Sequence, residues 1–443
     1  MSRHVFSRGG EGLPVAARGS GAEIFDSDGR RYLDGAGGAI VVGVGHGVAS
    51  VSEAIAGQAR QLAYVHGTMF TTDVLEAYAD ELAPLLPLES PWIYPVSGGG
   101  EAVETALKMA RAYHLARGED RYLVIGRDGA YHGNTRGALD VSGRARLREP
   151  YSPWLGPPPH STALHTTAPY EYRCPFPDTH PEGCGERHAQ VLDQLIVEHG
   201  AGRVAAFIAE PVSGAGLGAC VPPADYWPAV EQVCRAHGVL LIADEVMTGF
   251  GRTGAWFACE HWGVRPDLMV LAKGAASGYW PLGLAVASDQ VHQTIMSGGG
   301  FTHGFTYSHH VMGAAAGRAV LAVLKQLDLV QAARDRGAQL DAALRDELGN
   351  HPAVGDIRGL GLLRAIELVS DRQTRAAFAR SDRVVERVVA AGTARGVLLY
   401  SSTGCADGRD GDLVLLGPPL IIAESEIDEL ASLTSAAIRD VLG

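Results

Sequence analysis

Hydrophobic positions recur with two different spacings along this chain, and the change between them outlines its architecture. Short continuous apolar runs are typical of strands that are buried on both faces of a sheet. We predict such strands at 121–126, 204–212, 238–246, 267–274 and 281–288. Stretches with helical spacing lie among them, at 102–118 and 224–238. Strands that alternate with helices predict an α/β fold with a mostly parallel sheet, flanked by helices.

The pattern changes after about residue 325. Helical stretches at 328–348, 381–396 and 424–442 surround a few short strand-like runs. We therefore predict a large domain over 56–324 and a smaller α+β domain over 325–443. Residues 1–55 show short strands around turns, with Asp28-Gly29 as a hairpin signal, and we expect them to pack with the small domain.

Composition narrows the class of protein. The chain has 443 residues, of which 46% are hydrophobic and 20% charged, as in soluble globular proteins. A formal net charge of −13 disfavours nucleic acid and anionic membranes as partners. We see no signal-peptide segment and no run near the roughly 20 apolar residues of a membrane span. Six cysteines do not make a disulfide framework in so long a chain, so we expect a cytoplasmic protein.

Lys273 is an unexpected residue for its place, because it directly follows an apolar run at 268–272. The chain has 37 basic residues, but its only lysines are Lys108, Lys273 and Lys325. If the position required only a positive charge, arginine would be the expected residue. A desolvated lysine can lose its proton and attack a carbonyl group, whereas arginine stays protonated. We therefore interpret Lys273 as a nucleophile.

Other polar residues lie at the ends of the apolar runs or shortly after them. They are Tyr131, His132, Glu210, Asp244 and Glu245. Any one of them could be an ordinary polar residue where a strand reaches the surface. Because the carboxyl ends of parallel strands share one edge of a sheet, which is where ligands of such sheets bind, the set together indicates a site.

A glycine run opens the predicted helix at 102–118. In "VSGGGEAVETALK", Gly98, Gly99 and Gly100 leave the first amides of the helix uncovered, and such amides bind phosphate groups. The run matches neither the dinucleotide-binding fingerprint nor the P-loop, which disfavours dinucleotides and nucleoside triphosphates. A nucleophilic lysine, a phosphate site and a buried aspartate together suggest pyridoxal phosphate, whose ring nitrogen needs an acidic partner.

These residues also resemble a known family, the class III pyridoxal-phosphate-dependent aminotransferases (omega-amino acid transaminase group, fold type I). The resemblance is carried in order by "DSDGRRYLDGAGG", "SGGGEAVETALKMAR", "AYHGNT", "AEPVSGAG", "LLIADEVMTGFGRTGAWFACEHWGVRPDLMVLAKG", "HGFTYSHH", "IRGLGLL" and "GPPL". It spans nearly the whole chain. The fold it implies has a seven-stranded-type sheet in the large domain and a smaller α+β domain.

The resemblance implies a role for the candidates around the cofactor ring. Lys273 would hold the cofactor as a Schiff base and move the substrate proton. Asp244 would pair with the protonated ring nitrogen. Val246 and Tyr131 would cover opposite faces of the ring, and His132 would be a structural partner rather than a base.

It also implies contacts for the phosphate. Gly99 and Gly100 would donate backbone amides, and Thr306 would reach the phosphate of the neighbouring subunit. The protein would then be a homodimer with shared active sites, or a tetramer built from such dimers. Glu210 would order polar groups near the cofactor.

One departure from the family bears on the substrate. Several members have an arginine, three residues before the first proline of "GPPL", that binds the α-carboxylate of the donor. Leu415 stands there in this chain. Either another arginine serves, or the substrate presents an apolar or amine-bearing group. We further expect Tyr64, His66, Phe70 and Trp280 to line the substrate pocket.

A second group of residues could bind zinc: Cys174, His180, Cys184 and His188. Their spacing fits no standard zinc pattern, so we interpret them as loop residues and predict no metal site.

We predict an aminotransferase that moves an amino group from an amine or omega-amino acid to a keto acid or aldehyde by a ping-pong mechanism. The same residues would also serve an epimerase, aminomutase or decarboxylase of this fold, which is the alternative. A non-catalytic binding protein is a more distant one, because Lys273, Asp244 and the glycine run are all present.

Overall fold

The computed structural model describes residues 4–6, 13–156, 161–176, 178 and 183–443. Its strands are β1 (Ala16–Ser20), β2 (Glu23–Asp26), β3 (Arg31–Asp34), β4 (Trp92–Val96), β5 (Leu123–Arg127), β6 (Ala163–Thr166), β7 (Val204–Ala209), β8 (Leu240–Asp244), β9 (Leu268–Leu271), β10 (Gly283–Ala287), β11 (Val354–Leu360), β12 (Leu363–Leu368), β13 (Val397–Leu398), β14 (Tyr400–Thr403) and β15 (Asp412–Leu416). Its helices are α1 (Gly37–Ile40), α2 (Ala49–Gln61), α3 (Asp73–Leu82), α4 (Gly99–Ala116), α5 (Arg136–Val141), α6 (Ala145–Arg148), α7 (Ser152–Leu155), α8 (Cys184–His199), α9 (Tyr226–His237), α10 (Asp289–Ser297), α11 (Val311–Gln326), α12 (Leu329–Leu348), α13 (Val384–Arg395) and α14 (Glu424–Leu442).

The main sheet has seven strands in the order β4-β10-β9-β8-β7-β5-β6. Strand β10 runs antiparallel to both of its neighbours, and the pairs from β9 to β6 are parallel. The five strands predicted from apolar runs are all present, which confirms the α/β prediction. The analysis of the sequence did not identify β4 and β6, which form the two edges.

Alternate residues of the central strands face two separate cores. Phe207 and Leu241 point into one core, which also contains Trp227 of α9. Ile208 and Ile242 point into the other, against α4. Burial on both faces explains why these strands read as continuous apolar runs rather than as alternating ones.

Two smaller sheets complete the structure. Strands β11, β12, β15 and β14 form an antiparallel sheet in that order. Strands β1, β2 and β3 are antiparallel neighbours, and Gly29 takes a positive φ of 83° in the turn between β2 and β3. Strand β3 also pairs in parallel with β13, so main-chain bonds join the N-terminal strands to the C-terminal part of the chain. The domain boundaries themselves remain a prediction.

Within the part of the chain that the structure describes, no helix combines the length and the apolar character needed to cross a membrane.

A buried charge network links the segment after β6 to the antiparallel sheet of β11 and β12. The carboxylate of Glu367, on β12, is fully buried. It accepts hydrogen bonds from the Tyr170 hydroxyl, from Arg173 Nε at 2.7 Å and from Arg358 Nη1 at 2.9 Å. Arg358 Nη1 also pairs with Asp356 at 2.9 Å, so two carboxylates balance the two guanidinium groups, and Glu367 is the one that both arginines share.

We expect Glu367→Ala to destabilise the protein strongly, because it leaves two guanidinium groups without their buried counter-charge. The expected loss is about 3–5 kcal/mol in the free energy of unfolding, which is typical when one partner of a buried ion pair is removed. The midpoint of urea-induced unfolding, followed by circular dichroism, measures the change.

Glu81→Ala is the matched control. Glu81 pairs with Arg318 at 2.7 Å, but both side chains are more than a third exposed. Its removal should cost less than about 1 kcal/mol. Equal effects of the two substitutions would show that the Glu367 network does not bind the two parts together.

Candidate active site

A cavity of about 380 Å³ opens at the carboxyl edge of the main sheet. It is lined by the turn after β4, the loop after β5, and the ends of β7, β8 and β9. Eight of the nine predicted site residues line it: Gly99, Gly100, Tyr131, His132, Glu210, Asp244, Val246 and Lys273. The ninth, Thr306, lies elsewhere on an exposed turn, where its carbonyl oxygen accepts a hydrogen bond from the Tyr64 hydroxyl.

Lys273 stands two residues beyond the end of β9 and is partly buried. Its φ of +41° is strained for a residue with a side chain, and strain of this kind concentrates at functional sites. Burial lowers the pKa of its amine from 10.5 to about 8, against the opposing effect of the carboxylates of Asp244 and Glu210. The amine forms no hydrogen bond or ion pair with any residue that the structure describes.

Asp244 is the last residue of β8 and is buried. One of its carboxylate oxygens lies 2.6 Å from His132 Nδ1, and the other accepts the Val246 backbone amide at 3.0 Å. The His132 ring is fully enclosed, and the Ser142 hydroxyl accepts the His132 backbone amide at 2.9 Å. The carboxylate is therefore held in one orientation at the cavity wall.

The glycine turn places the start of a helix at the cavity. Helix α4 begins at Gly99, and the first amides of a helix have no carbonyl partner within it. A Cβ at Gly99 would lie 3.3 Å from Val246 Cγ1, whereas one at Gly98 would meet nothing within 4 Å. Gly99 packs closely against Val246, whereas the space beside Gly98 is open, so this helix terminus faces the cavity.

Glu210 follows β7 directly and is buried. Its carboxylate accepts the Gly214 amide at 3.1 Å and the Ser213 hydroxyl at 3.1 Å. Arg127 Nη2 donates to the Glu210 carbonyl oxygen at 2.6 Å. Burial raises the pKa of the Glu210 carboxyl, and the positive charge of Arg127 opposes this rise.

Two residues at the site were missed in the sequence. Gly133 takes a φ of +139°, and a Cβ there would lie 3.2 Å from Gly100 Cα. Glycine therefore lets the loop after β5 pack on the start of α4, and the "YHG" triplet was the available signal. Arg252, within "GFGRTG", is buried, and its charge contributes to the lowered pKa of Lys273.

The pocket residues expected from the sequence are only partly brought together. Trp280 lines the cavity, but Tyr64, His66 and Phe70 do not. Leu415 is fully buried on β15 in an apolar cluster with Ile40 and Leu363, away from the cavity surface.

The prediction that the cysteine and histidine residues near 174–188 are loop residues is wrong for Cys184 and His188, which lie on α8. Donor atoms of Cys174, Cys184 and His188 lie within 4.8 Å of one another. His180, the fourth residue considered, lies outside the described residues.

Comparison with known proteins identifies the family. The family model for aminotransferase class-III matches residues 6–438. The uncharacterized aminotransferase YodT of Bacillus subtilis is 36% identical over 97% of this chain and 95% of its own length. Putrescine–pyruvate aminotransferase of Pseudomonas aeruginosa is 35% identical over 96% of this chain and 90% of its own length.

A solved structure agrees with these sequence matches. An amine transaminase from an uncultivated Pseudomonas species, in its pyridoxal-phosphate-bound form, is 36% identical and superimposes with a TM-score of 0.90. The match covers all of this chain and 98% of the other. The chain therefore belongs to the class-III aminotransferase family.

Proposed function

We propose that this aminotransferase binds pyridoxal 5′-phosphate in the cavity and moves an amino group from an amine or omega-amino acid to a keto acid or aldehyde. The observation that carries the proposal is the Lys273 amine, which is desolvated, has no hydrogen bond or ion pair with a described residue, and lies within the electrostatic influence of Asp244. The relatives with named activities are aminotransferases, which does not favour an epimerase, aminomutase or decarboxylase.

The donor groups of the cavity fit this cofactor. A phosphate needs amide donors, which the start of α4 offers at Gly99 and Gly100. An aldehyde needs an amine, and a pyridine nitrogen needs an acid, which Lys273 and Asp244 offer. When bound, pyridoxal phosphate supplies the aldehyde that captures amines and a ring that takes up electrons.

The chain's own residues would then divide the work. Lys273 would hold the cofactor and afterwards, as a free amine, take the proton from the carbon that carries the amino group of the donor. Asp244, oriented by His132, would keep a proton on the ring nitrogen. Val246 and Tyr131 would confine the ring from its two faces. Glu210 would order the polar groups at this edge.

Thr306 supports the proposal of a homodimer with shared sites. Its side chain lies outside the cavity of its own chain, on an exposed turn at 306–309. A hydroxyl at such a place can serve an anion in a second copy of the chain. The exposed apolar side chains of Phe70 and Tyr307 are consistent with a surface that a second copy of the chain covers.

The lining of the cavity restricts the substrate. Among the described residues that line it, Lys273 is the only lysine or arginine, and apolar groups such as Trp280, Pro281 and Leu282 form one wall. Leu415 places no guanidinium there. We therefore propose donors that lack an α-carboxylate, and acceptors with at most one carboxylate.

Two matched pairs of donors test this restriction: glutamate with 4-aminobutyrate, and alanine with isopropylamine. 4-Aminobutyrate is glutamate without its α-carboxylate, and isopropylamine is alanine with a methyl group in that place. A buried polar group left without a hydrogen-bond partner costs about 1–3 kcal/mol, and a charged group costs more, so the donors without the α-carboxylate should have kcat/KM values at least about 10–100-fold higher. The loss of visible absorption from the bound cofactor measures each half-reaction. Equal or faster reaction with glutamate would contradict the substrate class but not the activity.

Lys273→Ala should lower the rate of amino transfer by at least about 100-fold, the lower limit for a positioned general base. The control is Lys325→Ala, because Lys325 is exposed and outside the cavity. Borohydride reduction of the wild-type holoenzyme, followed by peptide mass mapping, should find the cofactor on Lys273. A cofactor fixed to Lys108 or Lys325 instead would overturn the assignment.

The lowered pKa of Lys273 is testable in the protein without cofactor. An amine reacts only when it is deprotonated, so burial moves its reactivity to lower pH. Acetylation by trace acetic anhydride, quantified for each lysine by mass spectrometry, should show a midpoint near pH 8 for Lys273.

Asp244→Asn should move this midpoint to lower pH, because the carboxylate that favours the protonated amine is removed. Asp193→Asn is the control, since Asp193 pairs with His237 at 2.6 Å and does not line the cavity. A Lys273 midpoint near 10.5, or one that Asp244→Asn does not lower, would contradict the electrostatic account of the site.

A further inference from the structure

Two cysteines and a histidine outside the active site form a group of converging donor atoms. We call Cys174, Cys184 and His188 the thiol–imidazole cluster. Their donor atoms lie within 4.8 Å of one another, and the two sulfur atoms are 2.8 Å apart. Cys184 is the first residue of α8, and His188 follows one turn later on the same face of the helix. Cys174 approaches from the segment after β6.

His188 is oriented as metal-binding histidines are. Its Nδ1 lies 2.7 Å from the Thr167 hydroxyl, which fixes the ring, while its Nε2 is buried and has no hydrogen-bond partner among the residues that the structure describes. Histidine ligands of metals are held through the second nitrogen in this way. The Phe176 ring packs edge-on against the imidazole, with the centroids 4.9 Å apart. Buried polar atoms in native structures are almost always bonded. A buried imidazole nitrogen without a described partner, on a ring next to two thiols, therefore suggests a bound ion.

We propose that the thiol–imidazole cluster binds a zinc ion through Cys174 Sγ, Cys184 Sγ and His188 Nε2. Sulfur and imidazole donors select zinc over magnesium or calcium. Cys174 is partly exposed, so a water molecule can take the fourth tetrahedral position. Zinc–sulfur bonds of about 2.3 Å need the sulfur atoms about 3.8 Å apart, so Cys174 must withdraw by about 1 Å on binding.

The exchange of atoms is simple. Two S–H bonds are lost, two zinc–sulfur bonds form, and two protons leave to solvent; no electron is transferred. A disulfide between the two cysteines is the competing outcome, and it would require an oxidant. It would also leave the free nitrogen of His188 unexplained.

The position of the cluster indicates a structural role. Cys174 directly follows Arg173, which together with Tyr170 holds the buried carboxylate of Glu367. A zinc ion would tie this segment to the start of α8. It would thereby support the contact between the main sheet and the sheet of β11 and β12, without contacting the active-site cavity.

The test is zinc binding to the reduced full-length holoenzyme. After incubation with zinc chloride and gel filtration, elemental analysis should find one zinc per chain, and the melting temperature should rise with zinc concentration. Cobalt(II) in place of zinc should give thiolate-to-metal absorption bands. Cys174→Ser, in the segment outside α8, and Cys184→Ser should each remove the tight site and the bands.

Thr167→Val should weaken zinc binding by about 10–100-fold, because it removes only the group that orients His188. Cys234→Ala is the control, since Cys234 is a buried cysteine on α9 outside the cluster, and it should bind zinc like the wild type. Amino transfer by Cys174→Ser should stay unchanged at low temperature.

Three results would overturn the proposal. The reduced protein would retain no zinc, or both serine variants would bind it as the wild type does. Alternatively, the protein purified without reductant would be 2 Da lighter, with Cys174 and Cys184 in one cross-linked peptide. Because zinc content is measured without any substrate, these results are independent of whether the protein transfers amino groups.

Discussion

The burial of the Lys273 amine is the constraint on which the site depends. Strand β9 lies in the middle of the sheet and is fully buried, so it delivers the lysine to a place with little water. Desolvation disfavours the charged amine, as does the nearby Arg252, while Asp244 and Glu210 favour it. The resulting pKa of about 8 lets the amine exist in both forms close to neutral pH, which a group that gives and takes protons requires.

Strand order explains why the other groups meet this amine. Strands β7, β8 and β9 are consecutive neighbours, so the residues at their ends are neighbours too. Helix α4 starts immediately after β4, at the same edge. Strand β10 is antiparallel, so its beginning rather than its end lies here, and the segment before it supplies Trp280, Pro281 and Leu282 as an apolar wall. A single reversed strand thus gives the cavity a polar side and an apolar side.

Much of this was predictable because the governing signals are local. Continuous apolar runs predicted the five inner strands, and the polar residues at the ends of four of these runs predicted the site edge. The edge strands were missed for physical reasons. Strand β4 contains Pro95 and is exposed at Trp92, and β6 ends in the polar residues His165 and Thr166, so neither has the apolar pattern of an inner strand.

Other features depend on distances that spacing along the chain does not encode. The approach of Cys174 to α8 is one, because the chain between them has no regular pattern that predicts its path. The places of Tyr64, His66 and Phe70 are another, since an aromatic residue has the same sequence signature at a pocket and at a surface between chains. The role proposed for Thr306 would belong to a second copy of the chain, which no single-chain pattern describes.

Arg252 is an arginine near Lys273 whose hydrogen bonds serve the fold. Arg252 donates hydrogen bonds to the carbonyl oxygens of Leu362 and Pro418 and weakly to that of Val42, so it joins three segments beneath the cavity. A guanidinium with its donors occupied in this way is not available to a carboxylate. Since Leu415 adds no further cation, the proposed recognition of the substrate would rest on the shape of the apolar wall and on Lys273 itself. The positive charge of Arg252 also lowers the pKa of Lys273. Arg252 therefore connects segments of the fold and, at the same time, makes the Lys273 amine easier to deprotonate.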